Sequence, residues 1–248
     1  EEFALQLTRH LWEWFEVPPP EDDLKHTRER QTRLREAIRT FASRDEDFLA
    51  FATSMIDQPE RREFVQRFGD PRDRAEFIGR SHLGISIDCA RCHNHPTDGW
   101  TQAEHLQFSA LFAEARPGGK GSGAEMAAGK FFLPGDGRPV EPAFLPIGSG
   151  TARVDPKRDS ASQVAEFLRD EGLDAFTRNT VNRVFEILVG QHEVEPSQLH
   201  QLLNSGEGRG LASLRKLIAG EGGNRLGYLV SKIGVSAPYR LDSNPPKA

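Results

Sequence analysis

Residues 89–93 read Cys-Ala-Arg-Cys-His and contain both cysteines of the 248-residue chain. This spacing is the one that covalent attachment of a c-type haem requires. On a helical turn, positions i and i+3 lie on one face, so the thiols of Cys89 and Cys92 can both reach vinyl groups along one porphyrin edge. His93 follows on the same face, where a neutral imidazole nitrogen can bind the iron as the proximal axial ligand. The pattern therefore predicts one covalent haem c.

Other chemistries also fit a close pair of cysteines. The two thiols could form a dithiol/disulfide couple or a local structural disulfide. A zinc ion could be held by Cys89, Cys92, His95 and His105, although the second closely spaced ligand pair of fingers and ribbons is missing. With zinc or a structural disulfide, the protein would be a non-redox interaction module whose cysteine and histidine cluster stabilises the fold.

A six-coordinate haem iron needs a second axial ligand, and the sequence offers several. Met126 lies downstream of the motif, and its thioether would raise the reduction potential, although it could equally fill a gap in the core. His82 and His105 are the competing distal histidines and would give a lower potential, and His10 is a more remote candidate. Each histidine could instead be satisfied by ordinary hydrogen bonds. An open sixth position would indicate a haem enzyme or sensor.

Three more residues close to the motif are candidate contacts of the haem or of a partner. His95 is too near the proximal histidine along the chain to reach the opposite haem face, so we expect its ring to contact a propionate or a backbone carbonyl. Trp100 could donate its indole N–H to a propionate, or it could simply pack in the core. Arg91 is expected to face solvent at the haem edge and to steer an acidic redox partner.

Composition narrows the classes of function. The formal net charge is −5 and no polybasic stretch is present, so nucleic acid is not an expected partner. No run approaches the roughly 18 apolar residues of a membrane span. The sequence also has no Gly-rich phosphate loop, no Ser/His/Asp set and no metal-spaced carboxylates, which disfavours an enzyme with its own substrate chemistry. We therefore expect a monohaem electron carrier that serves a larger redox or membrane-associated complex.

The expected location follows from the haem hypothesis. Haem is attached covalently on the outer side of energy-transducing membranes, so a c-type site implies an exported protein whose leader has been removed. The predicted compartment is the periplasm or another extracytoplasmic space.

Hydrophobic periodicity predicts an all-α protein of two helical lobes joined by a long Gly/Pro-rich loop. The haem-binding lobe spans residues 1–115, a linker or wrapping loop spans 116–159, and a companion helical lobe spans 160–248. Short extended pieces are expected near 131–133 and 143–147. The predicted helices are Glu1–Phe15, Glu21–Phe41, one from Phe48 behind a Ser43–Glu46 capping box, one from Asp70 and Pro71 towards Leu83, one behind a Thr101–Glu104 capping box, Ser160–Arg169, Ala175–Val189, Ser197–Leu203, Leu211–Ala219 and Arg225–Ile233.

One stretch resembles a known protein family. Residues 83–112, in which His95, Pro96 and Trp100 follow the Cys-x-x-Cys-His motif, resemble the cytochrome-type domain that is abundant in planctomycete surface and secreted proteins. This resemblance implies a haem site at the two cysteines and the adjoining histidine. The chain is expected to be a divergent, shortened member of that family.

Two later stretches are similar to the companion domain of unknown function with which that family pairs its cytochrome-type domain. Residues 181–196 begin Val-Asn-Arg-Val-Phe and resemble its opening signature, and residues 236–243 resemble a downstream signature. Asn182 and Arg183 lie in the first of these, and no nucleophile or paired base accompanies them. We therefore interpret them as structural hydrogen-bonding residues of the second lobe.

Overall fold

Helices make up most of the computed structural model, which describes residues 2–17, 25–96, 99–113, 126–127, 130–132, 137–189, 216 and 220–235. The α-helices are α1 (Glu2–Trp14), α2 (Lys25–Arg44), α3 (Phe48–Asp57), α4 (Glu63–Gln66), α5 (Pro71–Ile78), α6 (Gln102–Ala110), α7 (Ser160–Arg169), α8 (Leu173–Val189) and α9 (Leu226–Gly234). A π-helical turn (Gly79–Leu83) continues α5, and a 3₁₀ turn (Asp88–Arg91) follows it. The strands β1 (Met126–Ala127) and β2 (Lys130–Phe131) pair antiparallel. The prediction of a mostly helical chain is confirmed for the described residues.

The apolar residues of α1 lie on one face of the helix. Leu7, Leu11 and Trp14 are buried at helical spacing. Phe3, four residues before Leu7, is 43% exposed. This face therefore contacts the core only after the first turn of the helix.

Two of the predicted helix starts are confirmed in detail. Thr101 Oγ1 accepts a hydrogen bond from the Glu104 N–H at 3.1 Å, and Glu104 Oε2 accepts one from the Thr101 N–H at 2.8 Å. These reciprocal bonds satisfy amides that have no partner inside α6. Asp70 caps α5 by accepting from the Arg72 N–H at 2.9 Å, and Pro71 occupies the first helical position.

The capping box predicted at Ser43 is wrong. The helix α2 continues through Ser43 to Arg44, and Ser43 Oγ donates to the Thr40 carbonyl at 2.8 Å. The residue that caps α3 is Asp47, whose Oδ1 accepts a hydrogen bond from the Ala50 N–H at 2.9 Å. Asp47 is in the extended conformation directly before the helix, so it caps α3 in place of the more distant Ser43.

Aromatic side chains form the centre of the core. The Phe41 and Phe51 rings stack with centroids 4.4 Å apart. The Trp14 and Phe48 rings pack edge to face with centroids 4.9 Å apart. Phe48 also lies 5.5 Å from Phe176 of α8. Helices from both ends of the chain therefore contribute to one hydrophobic core.

The predicted lobes contact each other through this core, and ion pairs add to the contact. Arg62 donates to Asp159 at 2.5 Å, and Arg169 donates to Asp57 at 2.8 Å. Both pairs join residues before the predicted loop to residues at its end or beyond it. The boundaries of the two lobes and of the intervening loop stay a prediction.

The described part of the predicted loop is held against the helices. Phe131, Leu145 and Ile147 are buried, and the Phe144 ring stacks on Phe167 with centroids 4.7 Å apart. These contacts favour a wrapping loop over a free linker. The extended piece expected near 131–133 begins as β2, whereas the one near 143–147 forms no strand.

Several predicted segments lie outside the described residues. They are Ser197–Leu203, Leu211–Ala219 apart from Lys216, residues 190–196 and 236–243 of the two similar signatures, and the glycine-rich stretch around residues 120–123. Within the part of the chain that the structure describes, no helix is both long enough and apolar enough to cross a bilayer.

Candidate functional site

A left-handed residue, Gly84, ends the π-helical turn shortly before the cysteine motif. The π-helical turn ends at Gly84, whose φ of 67° is left-handed. A Cβ added to Gly84 would lie 2.9 Å from Oδ1 of Asn179. Only glycine therefore fits both the conformation and the space, and the helix that begins at Pro71 ends before this residue. Residues 85–87 then lead into the 3₁₀ turn.

The two cysteines lie at the surface on this turn. Cys89 is inside the 3₁₀ turn and Cys92 follows it directly, and both side chains are exposed and free. The two cysteines therefore lie three residues apart across this turn and its C-terminal cap.

The hydrogen bond of His93 leaves one ring nitrogen available. The side chain is exposed, and Nδ1 lies 2.8 Å from the carbonyl oxygen of Asn94. A carbonyl only accepts, so Nδ1 carries the proton and, in the neutral ring, Nε2 carries the lone pair. Histidines that bind metals commonly donate their other ring N–H to a carbonyl in this way. His93 thus has the tautomer of an iron ligand.

Arg91 is only partly exposed and is paired with carboxylates, and its predicted role in steering a partner stays a prediction. Its guanidinium donates to Asp73 at 2.7 Å, to Glu76 at 3.2 Å and to Asp70 at 3.2 Å. All three carboxylates belong to α5 or its cap. Their spacing of three residues places them along one helix face, and this spacing is the signal in the sequence for a shared cation.

This anchoring also accounts for the charge state of Arg91. Burial acts against the charge, but the hydrogen bond to Asp73 and the charges of Glu76 and Asp70 outweigh it and raise the pKa of the Arg91 guanidinium above its ordinary value. From the other side, Gln102 Nε2 donates to the Arg91 carbonyl at 3.2 Å. The middle of the Cys-x-x-Cys-His motif is therefore fixed between α5 and α6.

His95 and Trp100 close the loop that follows the motif. The His95 N–H donates to the Trp100 carbonyl at 2.6 Å, and the Asn94 side chain accepts from the Gln102 N–H at 3.0 Å. His95 is half-buried and Trp100 is buried. The structure therefore brings both residues next to the motif, while their predicted contacts with a haem stay a prediction.

His82 lies in the aromatic core. Its side chain is fully buried among Phe15, Phe77 and Phe176, with Nδ1 2.7 Å from Ser81 Oγ and Nε2 3.2 Å from the Ala52 carbonyl. Burial lowers the pKa of His82 to about 4. Iron ligation by this residue would have to break one of these hydrogen bonds.

His105 is buried on α6 and is linked to the motif through a carboxylate. Its Nε2 lies 3.0 Å from Glu76 Oε1, and Glu76 in turn accepts from Arg91. Within the described structure, the buried Nδ1 of His105 has no hydrogen-bond partner. With the proton on Nε2, this Nδ1 carries a lone pair.

The other two distal candidates differ in how far the structure describes them. The backbone of Met126 pairs with Phe131 in the short β-ladder, and its side chain lies outside the described part. His10 is partly exposed on α1 with Nδ1 3.8 Å from Glu13. The choice of distal ligand stays a prediction.

The four residues of the zinc alternative are not gathered around one point. Cys89 and Cys92 are exposed, whereas His105 is buried and bonded to Glu76. Among the described residues, no group of three or more histidine, cysteine, aspartate and glutamate side chains is placed to hold a metal ion. A zinc site would require His105 to leave the core.

The fold and this site define a helical domain built around a surface Cys-x-x-Cys-His turn. Residues 25–117 match the protein family described as "PSCyt2: Protein of unknown function (DUF1549)", a planctomycete cytochrome-associated domain. The matched range includes the motif, α2 to α6 and the Arg91 anchor. It extends further towards the N-terminus than residues 83–112, on which the sequence resemblance rests. No curated protein and no solved structure matches the chain significantly.

Proposed function

We propose that this chain carries one covalent haem c at Cys89, Cys92 and His93 and acts in electron transfer with a redox protein or larger complex. The observation that carries the proposal is the turn itself: two free, exposed thiols three residues apart, followed by a histidine whose proton on Nδ1 leaves Nε2 open. The same proposal places the protein in the periplasm or another extracytoplasmic compartment.

The two cysteine thiols suit the chemistry of covalent haem attachment. Each thioether forms when a thiol adds across one vinyl double bond, with the sulfur on one carbon and the hydrogen on the other, so no oxidant or reductant is consumed. Both thiols must be reduced and accessible, and the two free, exposed cysteines support this requirement. The bound haem would supply reversible one-electron exchange.

The surrounding residues would keep this turn in place. Arg91 ties it to the carboxylates of α5, and the Asn94 carbonyl holds the ring of His93 by its Nδ1 proton. A ligand whose orientation is already fixed loses less conformational entropy when it binds. His95 and Trp100 are the proposed neighbours of the haem, and Met126, His82 and His105 stay the proposed alternatives for the distal position.

The proposal is tested by producing the full chain in an exported compartment that contains a c-type maturation system. After acid–acetone extraction, we expect the haem absorbance to stay with the polypeptide in the parent protein and to disappear in Cys89→Ser/Cys92→Ser. Ser43→Ala, which removes an exposed hydroxyl on α2 away from the motif, is the control and should retain the haem. If the parent protein loses all haem absorbance on extraction, the proposal is wrong.

A second measurement separates an electron carrier from a haem enzyme or sensor. A carrier with two axial protein ligands should bind carbon monoxide slowly or not at all after reduction with dithionite. Prompt binding would indicate an open axial position and would contradict the electron-carrier part of the proposal.

A further inference from the structure

The π-helical turn before the motif ends in buried carbonyl groups that need donors from elsewhere in the fold. Carbonyls in the last turn of a helix have no partner within it, and burial makes an unpaired one costly. The Ser81 carbonyl accepts from Trp14 Nε1 at 2.6 Å and from Asn179 Nδ2 at 2.9 Å. The Arg80 carbonyl accepts from the guanidinium of Arg183 at 3.1 Å. Side chains of α1 and α8 thus complete this helix end.

The two α8 residues also fix each other. Arg183 Nε donates to Asn179 Oδ1 at 3.1 Å, and the guanidinium lies over the Trp14 ring, 5.1 Å from its centroid. A planar guanidinium has enough donors to hold a carbonyl and an amide while it stacks on an aromatic face, which a lysine ammonium does not. Asn179 is 2% exposed, so its amide is oriented by protein contacts alone.

These contacts extend to the cysteine turn along two routes. Asn179 packs against Gly84, where a Cβ would lie 2.9 Å from its Oδ1. Arg80, whose carbonyl Arg183 holds, donates from its own guanidinium to Asp88 Oδ1 at 2.5 Å. Asp88 begins the 3₁₀ turn and directly precedes the first cysteine. The helix α8 therefore contacts the start of the segment that leads into the motif directly, and the far end of that segment only through Arg80.

We infer that Asn179 and Arg183 are positioning residues for the Cys89–His93 turn, so that the C-terminal helices take part in presenting the haem site. This inference rests on the proposed function. The sequence predicts that Arg183 forms hydrogen bonds within the second predicted lobe, and the inference changes that interpretation. Its partner, the Arg80 carbonyl, lies in the first predicted lobe.

The test compares Asn179→Ala with Thr180→Val in the full chain without haem. Thr180 is also buried on α8, but its Oγ1 bonds only the Phe176 carbonyl of its own helix, at 2.9 Å. We expect Asn179→Ala to accelerate hydrogen exchange of the Ile85 and Ala90 amides about tenfold. The reason is that the Ser81 carbonyl in the π-helical turn loses the buried hydrogen bond from the Asn179 side chain. Thr180→Val should leave both rates unchanged.

The same variants are then passed through haem maturation. The fraction of chains that carry haem should fall several-fold in Asn179→Ala and stay at the parent level in Thr180→Val. Arg183→Gln serves as a second variant if Asn179→Ala does not fold, and Arg183→Lys should recover part of the loss. Equal exchange rates in Asn179→Ala and the parent, or equal acceleration in Thr180→Val, would overturn the inference.

The two proposals fail in different ways. If the parent protein carries no haem but Asn179→Ala accelerates exchange in the turn, the proposed function fails and only the contact between α8 and the turn stands. If the parent protein carries haem and Asn179→Ala changes neither exchange nor loading, the positioning role fails and the proposed function stands.

Discussion

His82 and His93 are the same side chain in opposite surroundings. His82 is fully buried among aromatic rings, and hydrogen bonds occupy both of its ring nitrogens. His93 is exposed, and its one hydrogen bond, to the Asn94 carbonyl, leaves Nε2 with an open lone pair. The difference shows that burial and hydrogen bonding, more than residue type, decide which histidine is available to a metal.

The largest expected effect follows from removing His82, the buried histidine of this pair. His82→Ala should lower the free energy of unfolding by about 3 kcal/mol, because it opens a cavity and removes the buried hydrogen bonds of the ring to Ser81 and Ala52. His93→Ala should change it by less than about 0.5 kcal/mol in the protein without haem, because the side chain is exposed. Urea denaturation of the two variants measures the contrast. Equal losses would contradict the assignment of one histidine to the core and the other to the site.

A smaller effect is expected where the exposed turn is tied to the core. Arg91→Gln should cost about 1 to 2 kcal/mol, because Asp70, Asp73 and Glu76 are left close together without their shared cation. Arg44→Gln, which removes an exposed pair with Glu46, is the control and should give no measurable change. Denaturation at low and high salt checks both variants. A loss no greater than that of the control would mean that Arg91 does not anchor the turn.

The smallest predicted effect is the contribution of the buried histidine to the pH dependence of stability. The pKa of His82 is lowered from 6.5 to about 4 in the folded protein, so the unfolded chain takes up the proton first as the pH falls. The stabilising contribution is fully present above pH 6.5 and is lost between 6.5 and about 4. Between about pH 7.5 and about pH 5.5 it should decrease by about 1.3 kcal/mol.

This pH effect is measured as a difference between the parent protein and His82→Gln. Subtraction removes the contributions of the carboxylates and the other histidines. The parent should lose more stability than the variant on acidification. Parallel curves for the parent and His82→Gln would show that the pKa of His82 is not lowered.

Local signals predicted much of this fold because they depend on neighbouring residues. The Thr101 capping box, the Asp70-Pro71 start and the glycine break at Gly84 each follow from backbone chemistry within a few residues. The Ser43 capping box failed because Asp47 offers an equivalent cap closer to the helix. Local patterns do not decide between two competing caps.

The parts of the site that depend on distant contacts were not predictable in the same way. The sequence identified Cys89, Cys92 and His93 from spacing alone, and the structure gives them the exposure and the tautomer that the hypothesis needs. The sequence did not reveal that Arg91 binds the carboxylates of α5. It also did not reveal that Asn179 donates a hydrogen bond to Ser81, which is 98 positions away along the chain. Such pairs form only when helices from both ends of the chain pack together.

The most direct test of the central claim is a peptide map of the full chain after c-type maturation in an exported compartment. We predict that one haem mass is found on the peptide that contains Cys89 and Cys92, that it survives denaturation, and that it is absent from Cys89→Ser/Cys92→Ser. Recovery of that peptide from the parent protein with two unmodified cysteines would contradict the claim.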